Sequence, residues 1–163
     1  MEGISQFIFR NIPNLRLFGT INEYERFTKN IISNFCAKTA LDIPLTIRQD
    51  CRFSFVDIVD LSNIILWFIG TNPQNKDYNV CLSKSYLLSE LAKIILDLSD
   101  KKLSIDIFKG GLNNEYTGNS TLLSTEMGDL FIDRPIENSL SRVYTYFESI
   151  KENLDIELVR SSI

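Results

Sequence analysis

The chain has 163 residues, 44% of them hydrophobic and 23% charged, which is the length and composition of one globular domain with its own core. It contains no histidine, which excludes Ser-His-Asp and Cys-His catalysis and any zinc site that needs an imidazole. Its 17 Lys and Arg against 21 Asp and Glu give a net charge of −4, which argues against nucleic acid held on a broad basic surface.

Ile4, Phe7 and Ile8 recur at helical spacing, and the pattern stops at Asn11-Ile12-Pro13-Asn14. Leu15–Phe18, bounded by Pro13 and Gly19, reads as a buried strand. From Tyr24 to Leu41 the positions Phe27, Ile31, Ile32, Phe35 and Ala40 keep a 3.6-residue period, which predicts an amphipathic helix. Pro44–Ile47 reads as a brief strand. Arg52–Val56 alternates and then enters an apolar helix over Leu61–Ile69 that Asp60 is placed to cap and that buries Trp67.

Tyr78–Cys81 reads as another strand, and Ser85 is placed to cap a helix carrying Leu87, Leu88, Leu91, Ile94, Ile95 and Leu98. Lys101–Phe108 alternates as a strand, and Gly110-Gly111-Leu112-Asn113-Asn114 has the composition of a loop. A short helix near Thr121–Met127 precedes a last helix from Pro135, with Ile136, Leu140, Val143, Tyr144, Phe147 and Ile150 on one stripe. Residues from Asn153 onward read as a loosely held tail. The three cysteines, Cys36, Cys51 and Cys81, form no Cys-x-x-Cys pair, which suits reduced core thiols in a cytoplasmic protein. No apolar run approaches the ~20 residues of a membrane span, so neither membrane nor nucleic acid is an expected partner.

Several segments occur in a known order. Leu15-Arg16-Leu17-Phe18-Gly19 is followed by a helix, then Ile43-Pro44-Leu45-Thr46-Ile47, then Arg52-Phe53-Ser54-Phe55-Val56-Asp57. The set resembles the nucleotide-sugar epimerase/dehydratase branch of the extended short-chain dehydrogenase/reductase family. That family has an L-R-x-F strand, a G-x-P-L-x-I hairpin and an R-x-F-x-Y-V-x-D strand entering a helix. Asp42, Phe55 and Ile58 depart from its usual Gly, Tyr and second acid. Asn79-Val80 resembles its N-V-x-x-G segment, with Cys81 and Leu82 in place of small residues. Residues 115–120 and 127–129 resemble its late substrate loop and short helix, and Ile136–Phe147 its terminal helix.

The resemblance implies an α/β fold. It is the C-terminal part of an extended Rossmann-type epimerase, with mixed short strands and three to four helices, lacking the glycine-rich cofactor half. On that view residues 1–152 are the substrate-binding portion and 153–163 the tail. None of the seven glycines forms the G-x-x-G-x-x-G turn that brings backbone against a pyrophosphate. The family's base is a Tyr-x-x-x-Lys pair, but four residues after the six tyrosines stand Thr28, Leu82, Glu90, Ser120, Glu148 and Ile150. Family spacing puts that lysine just before Met1, so the chain is expected to be a truncated fragment beginning past the catalytic motif.

By resemblance, Arg52 contacts the diphosphate of a nucleotide diphosphate sugar, a task suited to a permanently charged, forked guanidinium. Arg26, Lys109 and Tyr116 fall where the family contacts substrate, Tyr116 as a face for a base or sugar. Leu17, Phe18 and Gly19 fall where it approaches the nicotinamide of NAD or NADP. Glu23, Glu25, Asp57 and Asp60 show no spacing of a catalytic carboxylate pair. The expected function is the substrate-binding portion of an NAD(P)-dependent nucleotide-sugar epimerase or dehydratase, inert alone because Tyr and Lys lie outside it. The alternative is a non-catalytic binding or assembly module that keeps the fold. Unfinished strands at 15–18 and 53–56 imply a homo-oligomer or an N-terminal half as partner.

Overall fold

The computed structural model describes residues 13–162. The helical spacing of Ile4, Phe7 and Ile8 lies outside them. The first strands are β1 (Asn14–Leu17) and β2 (Thr20–Ile21), followed by helix α1 (Ile31–Ala40). Next come β3 (Leu45–Asp50), β4 (Arg52–Phe53), β5 (Val56–Asp57) and helix α2 (Ile58–Gly70). β6 (Asp77–Val80), β7 (Tyr86–Leu87), helix α3 (Leu88–Ser99) and β8 (Ile105–Leu112) follow. The chain ends in α4 (Thr121–Met127), α5 (Ile136–Ser149) and α6 (Ile156–Ser161). The α/β class holds, with six α-helices among the described residues where three to four were expected.

The strands pair in twos. β1–β6, β2–β5 and β3–β8 are parallel, and β4–β7 is antiparallel. α1 is the centre of the main core, burying Phe35, Cys36 and Ala37 against α3, α5, α6 and β3. A second cluster of Val56, Leu61, Ile64, Tyr78, Val80, Leu123 and Met127 lies between α2, β6 and α4. All three cysteines are free and buried. Among the described residues no helix is long and apolar enough to cross a membrane.

Several boundaries differ from the sequence expectation for identifiable reasons. α1 starts at Ile31 and not near Tyr24, because Asn30 caps it by accepting from Ile32 N (3.0 Å) and Ser33 N (3.1 Å). Residues 22–30 form turns instead, tied together by the Glu25 carboxylate, which accepts from Thr20, Asn22 and Asn30. α2 is capped by Asp57, which accepts from Val59 N at 2.8 Å, and not by Asp60. Asp60 is instead buried against Arg134, accepting from Nε at 2.9 Å and Nη2 at 2.8 Å. Trp67, expected in the core, is only half-buried.

α3 begins at Leu88, and its first turn is satisfied by Glu90, which accepts from Leu87 N at 2.8 Å, rather than by Ser85. Gly110 and Gly111 are not a loop but the end of β8. There the register against β3 shifts between Gln49 and Asp50, and Gly111 takes the positive φ of 74° that such an irregularity asks of its residue. Residues 153–163 were expected to be loosely held. They contain α6, capped by Asp155, with Val159 fully buried and Ser162 Oγ accepting from Asn34 Nδ2 at 2.7 Å.

Candidate functional site

The segments 45–54 and 105–118 run side by side for their whole length. Beyond the β3–β8 ladder, Asn113 N donates to Asp50 O (2.7 Å), Tyr116 N to Arg52 O (2.8 Å) and Ser54 N to Tyr116 O (3.1 Å). Gly118 N then donates to Ser54 Oγ at 3.2 Å. This ribbon lays Tyr116 beside Phe53, with ring centroids 5.8 Å apart. Phe18, just past β1, closes on Tyr116 at 5.4 Å, and Phe53 stacks on Phe55 at 5.9 Å. Tyr116 remains 50% exposed, so the cluster presents an aromatic face to solvent.

Two glycines make the closeness possible. A Cβ on Gly19 would stand 2.7 Å from the Phe55 ring, and one on Gly118 would stand 2.2 Å from the Phe18 ring. The backbone of 18–19 and of 118 can therefore approach these rings only without side chains at those positions. Val56 N donates to Gly19 O at 2.9 Å, fastening the same corner.

Arg52 precedes Phe53 on β4 and is 37% exposed at the side chain. Its Nη1 donates to Ser85 O at 3.0 Å and stands 3.8 Å from Glu90 Oε2, so part of its donor capacity is already used within the protein. Leu17, the last residue of β1, is 40% exposed opposite Val80. Among the sequence candidates, then, Phe18, Gly19 and Tyr116 are brought together, Leu17 is next to them in the chain, and the Arg52 guanidinium is turned to Ser85 O and Glu90. Arg26 is not among them: it is exposed in the turn before α1, where its carbonyl accepts from Lys29 N and Asn30 N. Lys109 is exposed on β8 and lines a separate cleft with Arg48, Gln49 and Asn113.

Below the aromatic corner, the acids at the start of α2 are held by arginines of the C-terminal part. Arg142 on α5 donates to Glu23 and to Asp57 Oδ2 (2.8 Å). Burial lowers the Arg142 pKa, while the paired Asp60 carboxylate raises that of Arg134. These carboxylates are structural partners, in keeping with the absence of any catalytic pair in their spacing. Sequence reasoning did not find Phe53 or Glu90 as neighbours of the candidate residues. The pairing of 52–54 with 116 that joins them is non-local and leaves no mark in either segment.

No grouping of Cys, Asp and Glu that could hold a metal ion occurs among the described residues. Of the residues expected near NAD or NADP, Leu17 is exposed at the end of β1, while Phe18 packs on Tyr116 and Gly19 against Phe55. The sequence holds no glycine-rich turn to cradle a pyrophosphate, so hydride chemistry is not assigned to these residues.

No protein-family model and no curated protein matches the sequence. Solved structures do match. RMD from Pseudomonas aeruginosa complexed with NADPH is 21% identical with a TM-score of 0.72, over 90% of this chain and 50% of its own. The UDP-glucuronic acid 4-epimerase of Bacillus cereus, in complex with UDP-glucuronic acid and NAD, is 17% identical with a TM-score of 0.72, over 86% of this chain and 46% of its own. The UDP-N-acetylglucosamine 4-epimerase of Methanobrevibacter ruminantium M1 is 19% identical with a TM-score of 0.65, over 83% and 45%. The chain thus spans about half the length of these structures. Its fold is that of the C-terminal part of the NAD-dependent nucleotide-sugar epimerases and dehydratases of the extended short-chain dehydrogenase/reductase type.

Proposed function

We propose that this chain is a substrate-binding unit for a nucleotide diphosphate sugar, inactive alone because it carries neither the Tyr-x-x-x-Lys pair nor a cofactor cradle. The observation that carries the reading is the joining of Phe18, Phe53 and Tyr116 into one half-open aromatic face. Such a face suits a base or sugar ring. The solved structures of the same fold include complexes with UDP-sugars, which supports the ligand class.

The unit works with a further surface. β1 pairs only with β6 among the described residues, and a parallel pair of this kind is normally covered on both faces. α2 exposes Ile58, Val59, Ile65, Leu66 and Ile69, an apolar face that a second copy or an N-terminal α/β half would cover.

Thermal unfolding of the chain with UDP-glucose, UDP-glucuronic acid and UDP-N-acetylglucosamine tests the reading. A ligand at ~100 times its dissociation constant adds about 2.7 kcal/mol of stability. Stabilisation lost on Tyr116→Ala supports substrate binding. No stabilisation by any of the three favours the non-catalytic assembly module, whose motivation is the departures from the family pattern at Asp42, Phe55 and Ile58.

A further inference from the structure

Residues 117–119 belong to neither helix nor strand, yet the main chain of Gly118 is held on both sides. Its N–H donates to Ser54 Oγ at 3.2 Å, and its carbonyl accepts from Cys81 Sγ at 3.4 Å. The next carbonyl, that of Asn119, accepts from Asn79 Nδ2 at 3.0 Å. Arg16 Nε donates to Asn79 Oδ1 at 2.9 Å and so orients that amide.

Ser54 and Cys81 come from distant segments. Ser54 lies between β4 and β5, and Cys81 directly follows β6. Leu82 N donates to Phe55 O at 2.6 Å, which draws the two segments together. Both side chains are buried, and the buried Ser120 lies beside the thiol. Burial raises the Cys81 pKa, with the Ser120 and Ser54 hydroxyls acting the other way, so the thiol keeps its proton near neutral pH and remains a donor.

The clamp answers a need created at the same residue. Phe18 comes close only because position 118 has no side chain, since a Cβ there would stand 2.2 Å from its ring. Glycine also has the most backbone freedom to lose, so the residue that admits Phe18 brings no stiffness of its own. The hydrogen bonds from Ser54 and Cys81 supply it. On the other side of Tyr116, the ladder to Arg52 and Ser54 already fixes the chain. Packing alone does not ask for a hydroxyl and a thiol at two buried positions, because a buried polar group costs stability unless it is bonded. Cys81 departs from the small residue of the N-V-x-x-G pattern, and the bond to Gly118 is what the departure adds.

We infer that Ser54 and Cys81 are positioning residues of the aromatic face: by fixing the Gly118 main chain they set where Tyr116 stands against Phe18, and with it the affinity of the face for a flat ring. The inference rests on the proposed function for the identity of that ligand, a nucleotide sugar. The placement of Tyr116 by the clamp does not depend on it.

The test uses the whole chain labelled with 3-fluorotyrosine. The Tyr116 fluorine resonance, assigned with Tyr116→Phe, is followed alongside titration with UDP-glucose. Cys81→Val fills the space without a donor, and Ser54→Ala removes the acceptor. Each should move the Tyr116 resonance toward its position in the unfolded chain and weaken UDP-glucose binding roughly threefold to fivefold, the effect of one such hydrogen bond. Cys81→Ser, which returns a donor, should bring both readouts back toward wild type. Circular dichroism checks that each variant folds, and Ser54→Ala decides the matter by itself if Cys81→Val does not. A merely structural role would lower the denaturant midpoint and leave the resonance and the dissociation constant of the folded protein unmoved. That result overturns the inference, as does a Cys81→Ser chain that behaves like Cys81→Val. Failure of wild type to bind UDP-glucose counts against the nucleotide-sugar reading, and the Tyr116 resonance then decides the clamp alone.

Discussion

Gly118 lies against the ring of Phe18 so closely that a Cβ at position 118 would stand 2.2 Å from Cε2 of that ring. The contact joins the end of β1 to the segment after Tyr116, two parts of the chain a hundred residues apart. Gly118→Ala must therefore push Phe18 out of the aromatic corner, at the cost of an overpacked site, about 1–3 kcal/mol. Urea unfolding should show that loss, and Phe18→Ala introduced together with it should recover a part. Strictly additive losses in the double variant would mean that the two positions do not meet.

A second expectation concerns Arg142, whose guanidinium spans Glu23 and the buried Asp57. Asp57 is also the cap of α2, so its carboxylate cannot turn away without exposing Val59 N. Arg142→Ala leaves that charge buried and unpaired. The full cost of such a break is about 3–5 kcal/mol, and the one-third exposure of the Arg142 side chain reduces it to roughly 2–4. Asp57→Asn keeps the cap and removes the charge, so in the Arg142→Ala background it should restore stability. Denaturant midpoints of the four proteins decide the matter.

The alkaline limb of stability has a defined sign. Burial, and then the Glu148 carboxylate, hold the Tyr144 phenol up to about 12, and burial raises Tyr78 and Tyr86 as well. A raised phenol keeps its proton in the folded state after the unfolded chain has lost it at about pH 10, so stability is intact below that pH. It then falls as the pH rises through about 12. Lys38, lowered by burial, contributes with the opposite sign. Comparing Tyr144→Phe with wild type over that range isolates the phenol: the variant should lose stability less steeply, and an identical slope would contradict the placement.

The exposed face of α2 gives a fourth expectation. Leu66 and Ile69 are 64% and 59% exposed on a helix whose other side is packed into the core. At tens of micromolar, the order at which a weak dimer forms, sedimentation of the chain should show self-association, and Leu66→Lys with Ile69→Lys should abolish it. A stable monomer with no tendency to associate would contradict the proposal that a second copy covers this face.

The local order of elements was legible in the sequence because it is written in short-range patterns. The stripe of α5 from Ile136 to Phe147 and the strand endings at Pro13 and Gly19 are examples. Errors fell where a side chain had a non-local choice. Asp60 looks like a cap by position, but Arg134, seventy-four residues away, takes it, and Asp57 caps instead. Gly110-Gly111 looks like a loop by composition, yet β3 pairs with it. Residues 153–163 look like a tail by polarity, but Val159 and Ser162 dock on α1.

The count that opened the sequence, no histidine among 163 residues, by itself determined that no imidazole base or imidazole-bound metal operates here. The sequence likewise shows neither a Tyr-x-x-x-Lys pair nor a glycine-rich turn. Which side chains meet was decided only by tertiary structure. Pairing 45–54 with 105–118 brings Tyr116 to Phe53 and Lys109 to Arg48, and leaves Arg26 apart. Parallel pairing over sixty residues of separation depends on the whole core closing, and no local preference of either segment encodes it.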